Sequence, residues 1–245
     1  MRTPKFKNYN GSELLVIFIH GFMGSPGQFD DLAETAYKKG CSVLSIVLPG
    51  HSGSGKHFVN SSLIEWETHL QNEISKYRDH YSQIYLVGHS MGGLLALNAS
   101  IVKANKICGV LMLSSPMRIA FISPDSLRCK FKLLFSLRER EIRKRYTLSN
   151  SIDSDLLYCL LLLKPFQQLK ALMQKTEHNL SDVFTPVTMI HSKNDEMVAF
   201  ESAKILYDGL SNTTRKSIAL QNSSHAYYPA DEREKIGSEL LTMIH

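Results

Sequence analysis

The run Ile84-Tyr85-Leu86-Val87 ends directly in Gly88-His89-Ser90-Met91-Gly92, which passes without a break into Gly93-Leu94-Leu95-Ala96-Leu97. Few chain paths accommodate this order. An apolar run of strand length, a turn with glycine two positions either side of a serine, and then helix formers describe a strand that reverses sharply into a helix. Side chains flanking so tight a turn would collide with the chain, and glycine at 88 and 92 removes them. The serine is left at the apex, its hydroxyl projecting above the sheet edge. With 14 glycines and 28 serines in 245 residues, a chance Gly-x-Ser-x-Gly is about a one-in-ten event. The flanks therefore decide. A near copy, Gly50-His51-Ser52-Gly53-Ser54, lacks the last glycine, follows Leu48-Pro49 and runs into a polar stretch, so the helix that the turn requires is not expected there.

Other apolar runs supply the frame. Strands are predicted at Leu14–Ile19, Val43–Leu48, Ile107–Leu113, Val187–His191 and Ser217–Leu220, besides the run before the glycine turn. Helical segments fall between them: Pro26–Lys39 closed by Gly40, Ser61–Tyr81, the segment after Ser90, and Ala199–Leu210. A last helix runs from Pro229 to the C-terminus, with Ile236, Leu240 and Ile244 recurring every four residues. Continuous apolar strands alternating with helices imply a parallel sheet covered on both faces. The length suits one domain, residues 1–245.

From about 117 to 185 the alternation stops. Helical patterns appear without a convincing strand, and we read this stretch as a small helical cap inserted after Leu113. Within it, Arg128–Arg145 holds eight basic residues against two glutamates. That segment reads either as a surface drawn to anionic lipid or acidic substrate, or more simply as a solvated cap helix. The aliphatic Leu156–Leu163 is too short to span a bilayer and reads as the buried face of the cap or the wall of an acyl pocket.

A formal charge of +5 is mild, and no nucleic-acid-binding motif accompanies it. Cys41, Cys108, Cys129 and Cys159 lie far apart with no CxxC pair, which argues against a zinc site or a disulfide framework and suits a reducing compartment. Met1–Glu13 is polar and basic with no apolar core, so no secretory signal is read and a cytoplasmic protein is expected. Stable membrane insertion is not expected, whereas transient contact with a lipid surface stays open. No metal or organic cofactor is implied, and the oligomeric state is not legible.

A serine hydroxyl is a poor nucleophile at neutral pH and needs a general base within hydrogen-bond reach, itself oriented by a carboxylate. In the strand–turn–helix setting of this motif, the partners follow in chain order: Ser, then Asp or Glu, then His. Asp195 stands in His191-Ser192-Lys193-Asn194-Asp195-Glu196, directly after a predicted strand. An isolated aspartate there would read as a turn or helix-cap residue. Glu196 is its adjacent rival, and Asp182 is another that precedes its strand. His225 stands in Asn222-Ser223-Ser224-His225-Ala226, between the last strand and the last helix. His89 is set aside because adjacent side chains on a sharp turn point apart. Two backbone N–H groups are needed for the developing oxyanion. Met91 offers one, and Phe22 in His20-Gly21-Phe22-Met23-Gly24 the other, with His20 expected to structure that loop.

On His20–Gly24, Gly50-His51, Gly88–Gly93, Asn194-Asp195-Glu196-Met197 and Ser224-His225, the chain resembles the α/β-hydrolase family. Within it, the likeness is to small bacterial carboxylesterases and monoacylglycerol lipases, and it runs from about Leu14 onward. The resemblance implies a mostly parallel α/β sheet of six or seven strands, with helices on both faces and a small helical cap. It casts Ser90 as nucleophile, His225 as base, Asp195 as orienting acid, and Phe22 and Met91 as oxyanion donors, with no cofactor. The expected activity is that of a serine carboxylesterase on a small-molecule ester with an apolar acyl chain. A monoacylglycerol lipase or thioesterase would use the same triad. A non-catalytic binding protein on this fold is the rival of another class; its sign would be a broken triad, which the sequence does not show. The short N-terminus and the basic segment depart from the family's pattern.

Overall fold

A computed structural model describes residues 3–52, 55–120 and 163–244. Its strands are β1 (Lys5–Lys7), β2 (Leu14–Ile19), β3 (Ser42–Ser45), β4 (Gln83–His89), β5 (Ile107–Leu113), β6 (Val187–Ser192) and β7 (Arg215–Leu220). They form one seven-stranded sheet in the order β1-β3-β2-β4-β5-β6-β7. Only β1 is antiparallel, paired to β3, and every other neighbouring pair is parallel. The helices are α1 (Asp30–Lys38), α2 (Gly55–Val59), α3 (Leu63–Tyr77), α4 (Met91–Ser100), α5 (Leu163–Asn179), α6 (Glu201–Gly209) and α7 (Ala230–Ile244).

The two-residue period of a strand divides these apolar runs between two cores. Leu15, Ile17, Ile19, Leu86, Met112 and Met189 face one side, where they meet Trp66 and Leu70 of α3, Leu94 of α4, Leu172 of α5 and Leu206 of α6. Val16, Phe18, Val87, Leu111 and Ile190 face the other, against Ala36 of α1 and Ile236 and Leu240 of α7. This is the doubly covered sheet of the α/β-hydrolase fold, and it explains why the central strands carry no polar alternation.

Several boundaries differ from the sequence reading, each for a physical reason. Strand β1 is only three residues, Lys5-Phe6-Lys7, and exposed, so it offers no apolar run; ion pairs from Lys5 to Asp30 and Lys7 to Glu34, each 2.6 Å, fasten it to α1. Strand pairing in the third run stops at Ser45, although Ile46 and Leu48 stay buried beyond it. The third helix starts later than Ser61 because Ser62 caps it: Ser62 N–H donates to Glu65 Oε2 at 2.8 Å and the Ser62 hydroxyl accepts from Glu65 N–H. A five-residue helix does follow Gly50–Ser54, contrary to expectation. The strand before the near-copy ends at Ser45, five residues ahead of Gly50, whereas β4 runs directly into Ser90.

Residues Arg128–Arg145, Leu156–Leu162, Cys129 and Cys159 lie outside the described residues. The two described cysteines, Cys41 and Cys108, are free thiols. Helix α5 falls inside the stretch read as a cap, yet it buries Leu169 and Leu172 in the same core as α3 and α4. Asn98 of α4 donates to Thr176 Oγ1 of α5 at 2.7 Å, and Gln168 of α5 accepts from Leu63 N–H of α3 at 3.1 Å. No described helix is long and apolar enough to cross a membrane.

If α5 belongs to the body, truncating Leu172, which has no solvent exposure, should cost global stability. Leu172→Ala is expected to lower the unfolding free energy by about 2–5 kcal/mol in denaturant titration. A change below about 0.5 kcal/mol, the range of an exposed site, would show α5 to be a detachable layer.

Candidate active site

The chain between β4 and α4 turns on Ser90, whose φ of 52° and ψ of −120° lie outside the regions an L-residue prefers. Such a conformation costs about 1–3 kcal/mol and persists only where its surroundings enforce it. They do. Ser90 N–H donates to Leu113 O at 2.7 Å, and Ser90 O accepts from Gly93 N–H at 3.1 Å. A Cβ on Gly88 would overlap the Gly92 carbonyl, and one on Gly92 would overlap the Ile19 carbonyl of β2. The two glycines are thus required by backbone packed on backbone, where no rotamer change could relieve a clash.

The His20–Gly24 loop runs against this turn. A Cβ on Gly21 would stand 3.1 Å from Ser90 Cβ and 2.8 Å from His89 Nδ1. Gly21 N–H donates to Gln28 Oε1 at 3.0 Å, and Gly24 N–H donates to Gly21 O at 2.9 Å, which closes the loop. His20 is fully buried; its Nε2 accepts from Leu48 N–H at 3.1 Å, leaving Nδ1 to donate to Gly21 O at 3.0 Å. Its structuring role follows from those bonds. The Phe22 ring packs edge-on against Phe58 at 4.8 Å. Met91 is the first residue of α4, so its N–H lacks an intrahelical partner and lies at the positive end of the helix dipole.

Asp195 and His225 meet. His225 Nδ1 lies 2.9 Å from Asp195 Oδ2, with the aspartate side chain 2% exposed. The other oxygen, Oδ1, accepts from Met197 N–H and Val198 N–H, each at 2.8 Å. The turn role and the partnership with histidine therefore coexist in one carboxylate, one oxygen to each. Burial works to raise the Asp195 pKa, but the His225 charge and bond and the two amides outweigh it and hold it at about 2. Burial works to lower the His225 pKa, and the Asp195 charge and hydrogen bond, helped by Glu196, leave it raised.

The sequence reading passed over two supports. His89 supports His225 from the other side: its Nε2–H donates to His225 O at 2.8 Å, and the two rings lie 4.8 Å apart. Burial, reinforced by the neighbouring His225, drives the His89 pKa down to about 3, so it is a neutral donor. Glu232, in the first turn of α7, accepts from Gln221 N–H at 2.7 Å, Asn222 N–H at 3.0 Å and the Ser223 hydroxyl. It thereby fixes the start of the loop that carries His225. An acidic residue seven positions after a loop histidine, in a first helical turn, is the one signal that pointed to it. Beyond β5, Met117 and Arg118 N–H both donate to Ser202 Oγ, at 3.0 and 2.9 Å, which ties the chain leaving β5 to the first turn of α6.

A family model described as serine aminopeptidase, S33 (Hydrolase_4) matches residues 11–229. The chain belongs to this hydrolase family. Over 216 residues the hydrolase is 25% identical to a thermostable monoacylglycerol lipase of Bacillus sp. (strain H-257), covering 86% of this chain and 82% of that protein. It is 19% identical over 251 residues to a carboxylesterase of Bacillus subtilis (strain 168), covering 99% and 96%. In fold, it is similar to a metagenome-derived lipolytic enzyme of the LipS and LipT pair, with a TM-score of 0.79 at 21% identity over 99% of this chain and 96% of that one. The monoacylglycerol lipase of Paleococcus ferrophilus gives a TM-score of 0.71 at 17% identity, covering 99% and 97%.

The clamp made by Glu232 in this hydrolase is open to a direct test. Burial opposes ionisation of Glu232, but its bonds from Ser223, Gln221 and Asn222 leave its pKa lowered. A carboxylate with a depressed folded pKa contributes stability above its unfolded pKa and loses it as pH falls through the folded one. Glu232→Ala should therefore be about 1–3 kcal/mol less stable than wild type at pH 7, with the gap narrowing on acidification. Equal unfolding midpoints at pH 7, or a gap that widens in acid, would contradict the clamp.

Proposed function

We propose that this chain is a serine hydrolase of carboxylic esters, with Ser90, His225 and Asp195 as its triad. The observation that supports the reading most is the 2.9 Å bond between His225 Nδ1 and a buried Asp195, in a chain that also carries a serine on a strained strand-to-helix turn at Ser90. Asp195 accepts the hydrogen bond from Nδ1–H, which fixes the tautomer and leaves the Nε2 lone pair of His225 for general-base work.

Ser90 Oγ attacks the ester carbonyl as His225 Nε2 accepts its proton. The carbonyl oxygen becomes an oxyanion received by the amides of Phe22 and Met91, each such donor supplying about 2.7–4 kcal/mol of transition-state stabilisation. Collapse breaks the bond to the alcohol, which leaves with the proton from His225. Water, deprotonated by the same imidazole, then attacks the acyl-enzyme, and Ser90 recovers its proton. Ionised Asp195 stabilises the imidazolium in both steps. Because catalysis needs neutral imidazole, turnover falls as pH drops through the raised pKa of His225.

Carboxylesterase is the finer reading we favour. Monoacylglycerol lipase is the second, favoured by the named relative that aligns over 86% of the chain. A series of esters and monoacylglycerols of rising acyl length separates them, since a lipase prefers medium or long monoacylglycerols to short soluble esters.

Ser90→Ala is expected to abolish turnover of p-nitrophenyl butyrate and labelling by a fluorophosphonate, with the unfolding midpoint little changed. Asp195→Asn should fold and lose about 10⁴-fold in kcat, the cost of a misoriented imidazole. Wild-type turnover in Ser90→Ala, or a larger loss in Glu196→Gln than in Asp195→Asn, would overturn the assignment.

A further inference from the structure

The loop after β6 presents two consecutive carboxylates to one histidine. Asp195 meets the ring of His225, whereas Glu196 Oε2 accepts the backbone N–H of His225 at 3.0 Å. We propose that Glu196 is a positioning residue for His225, fixing its backbone by that hydrogen bond and setting a second negative charge beside its imidazole. This inference rests on reading His225 as the general base.

The geometry explains why a second anchor is needed. A bond to Nδ1 orients the ring but leaves the loop beneath it free to shift as a body. The structure stitches that loop to the Asp195 loop at successive points. Lys193 N–H donates to Leu220 O at 3.0 Å, Asn194 Nδ2 donates to Gln221 O at 2.6 Å, and Glu196 closes the series at His225 itself. Across the loop, His89 holds His225 O at 2.8 Å. The backbone of His225 is thus gripped at its N–H by Glu196 and at its carbonyl by His89, with the ring fixed by Asp195. A shift of about 1 Å in a reacting group can cost about 10²-fold in rate, so a grip on the backbone matters to turnover.

The charge acts separately. The titratable groups around His225 are Asp195 and Glu196 on the loop after β6, His191 on β6, His89 at the end of β4 and Tyr228 on its own loop. Burial lowers the pKa of His191 and His89 and raises that of Tyr228, so all three are neutral where His225 titrates. The negative charge beside the imidazole is therefore that of Asp195 and Glu196. Removing the second should ease loss of the proton.

Glutamine keeps an acceptor oxygen and removes the charge; alanine removes both. The test measures kcat and KM against pH for wild type, Glu196→Gln and Glu196→Ala on p-nitrophenyl butyrate, and titrates the His225 imidazole by NMR in each. Glu196→Gln should keep plateau kcat within about threefold and move the acid limb, and the NMR pKa of His225, down by about half a pH unit. Glu196→Ala should show the same displacement with kcat lowered about tenfold and KM little changed. An unmoved His225 titration in both variants, or equal plateau kcat in Glu196→Ala and wild type, would overturn the proposal. If wild type neither hydrolyses esters nor takes up a fluorophosphonate at Ser90, the functional reading fails, and the NMR titration still decides whether Glu196 controls His225.

Discussion

The backbone of Ser90 is held in a conformation that serine does not choose, and the rest of the site is arranged around that fact. The turn exists because α4 must leave β4 while its first residues press on the end of β2, where Gly92 lies against the Ile19 carbonyl. Strain of about 1–3 kcal/mol is small beside the burial of β2, β4 and β5 between two apolar cores. The sheet therefore imposes the turn, and the turn delivers both the serine and the free N–H of Met91 at the head of a helix. The His20–Gly24 loop, closed by its own bonds and by His20, abuts the same point from β2.

The second half of the site is an electrostatic suspension of one loop. Asp195, Glu196 and Glu232 each accept hydrogen bonds from the segment between β7 and α7, at the His225 ring, the His225 backbone and the Gln221–Ser223 stretch respectively. Asp195 remains ionised despite burial because two amides and the imidazole face it. The neutral His89 contributes a donor without adding positive charge beside the His225 ring. Rigid support from β6, α7 and β4 thus converges on a residue that itself lies in a loop.

Features built from consecutive residues were legible in the sequence. The apolar runs at Leu14–Ile19 and Ile107–Leu113 are strands with those same bounds, and Asp195 and His225, each singled out by its place after such a run, lie in hydrogen-bond contact. Features that depend on distant chain meeting chain were not. Strand β1 is too short and polar to show a period, and is held by pairing to β3. Local turn geometry gives His89 no role, because its partner is a carbonyl supplied 136 residues away. Glu232 carried a faint positional signal, but its three donors lie on a loop whose path only the fold reveals. Helix α5 shows the same limit: its pattern announces a helix, and nothing local states that it packs on α3 and α4.

We propose that Ser90, the amides of Phe22 and Met91, and the His225–Asp195 pair act on one reacting centre. A crystal structure of the protein inactivated by a small alkyl fluorophosphonate tests all of them together. The expected structure has phosphorus bonded to Ser90 Oγ, the phosphonyl oxygen about 2.7–3.1 Å from the amide nitrogens of both Phe22 and Met91, and His225 still paired with Asp195. Phosphorus on another residue, or a phosphonyl oxygen turned away from those two amides, would contradict it.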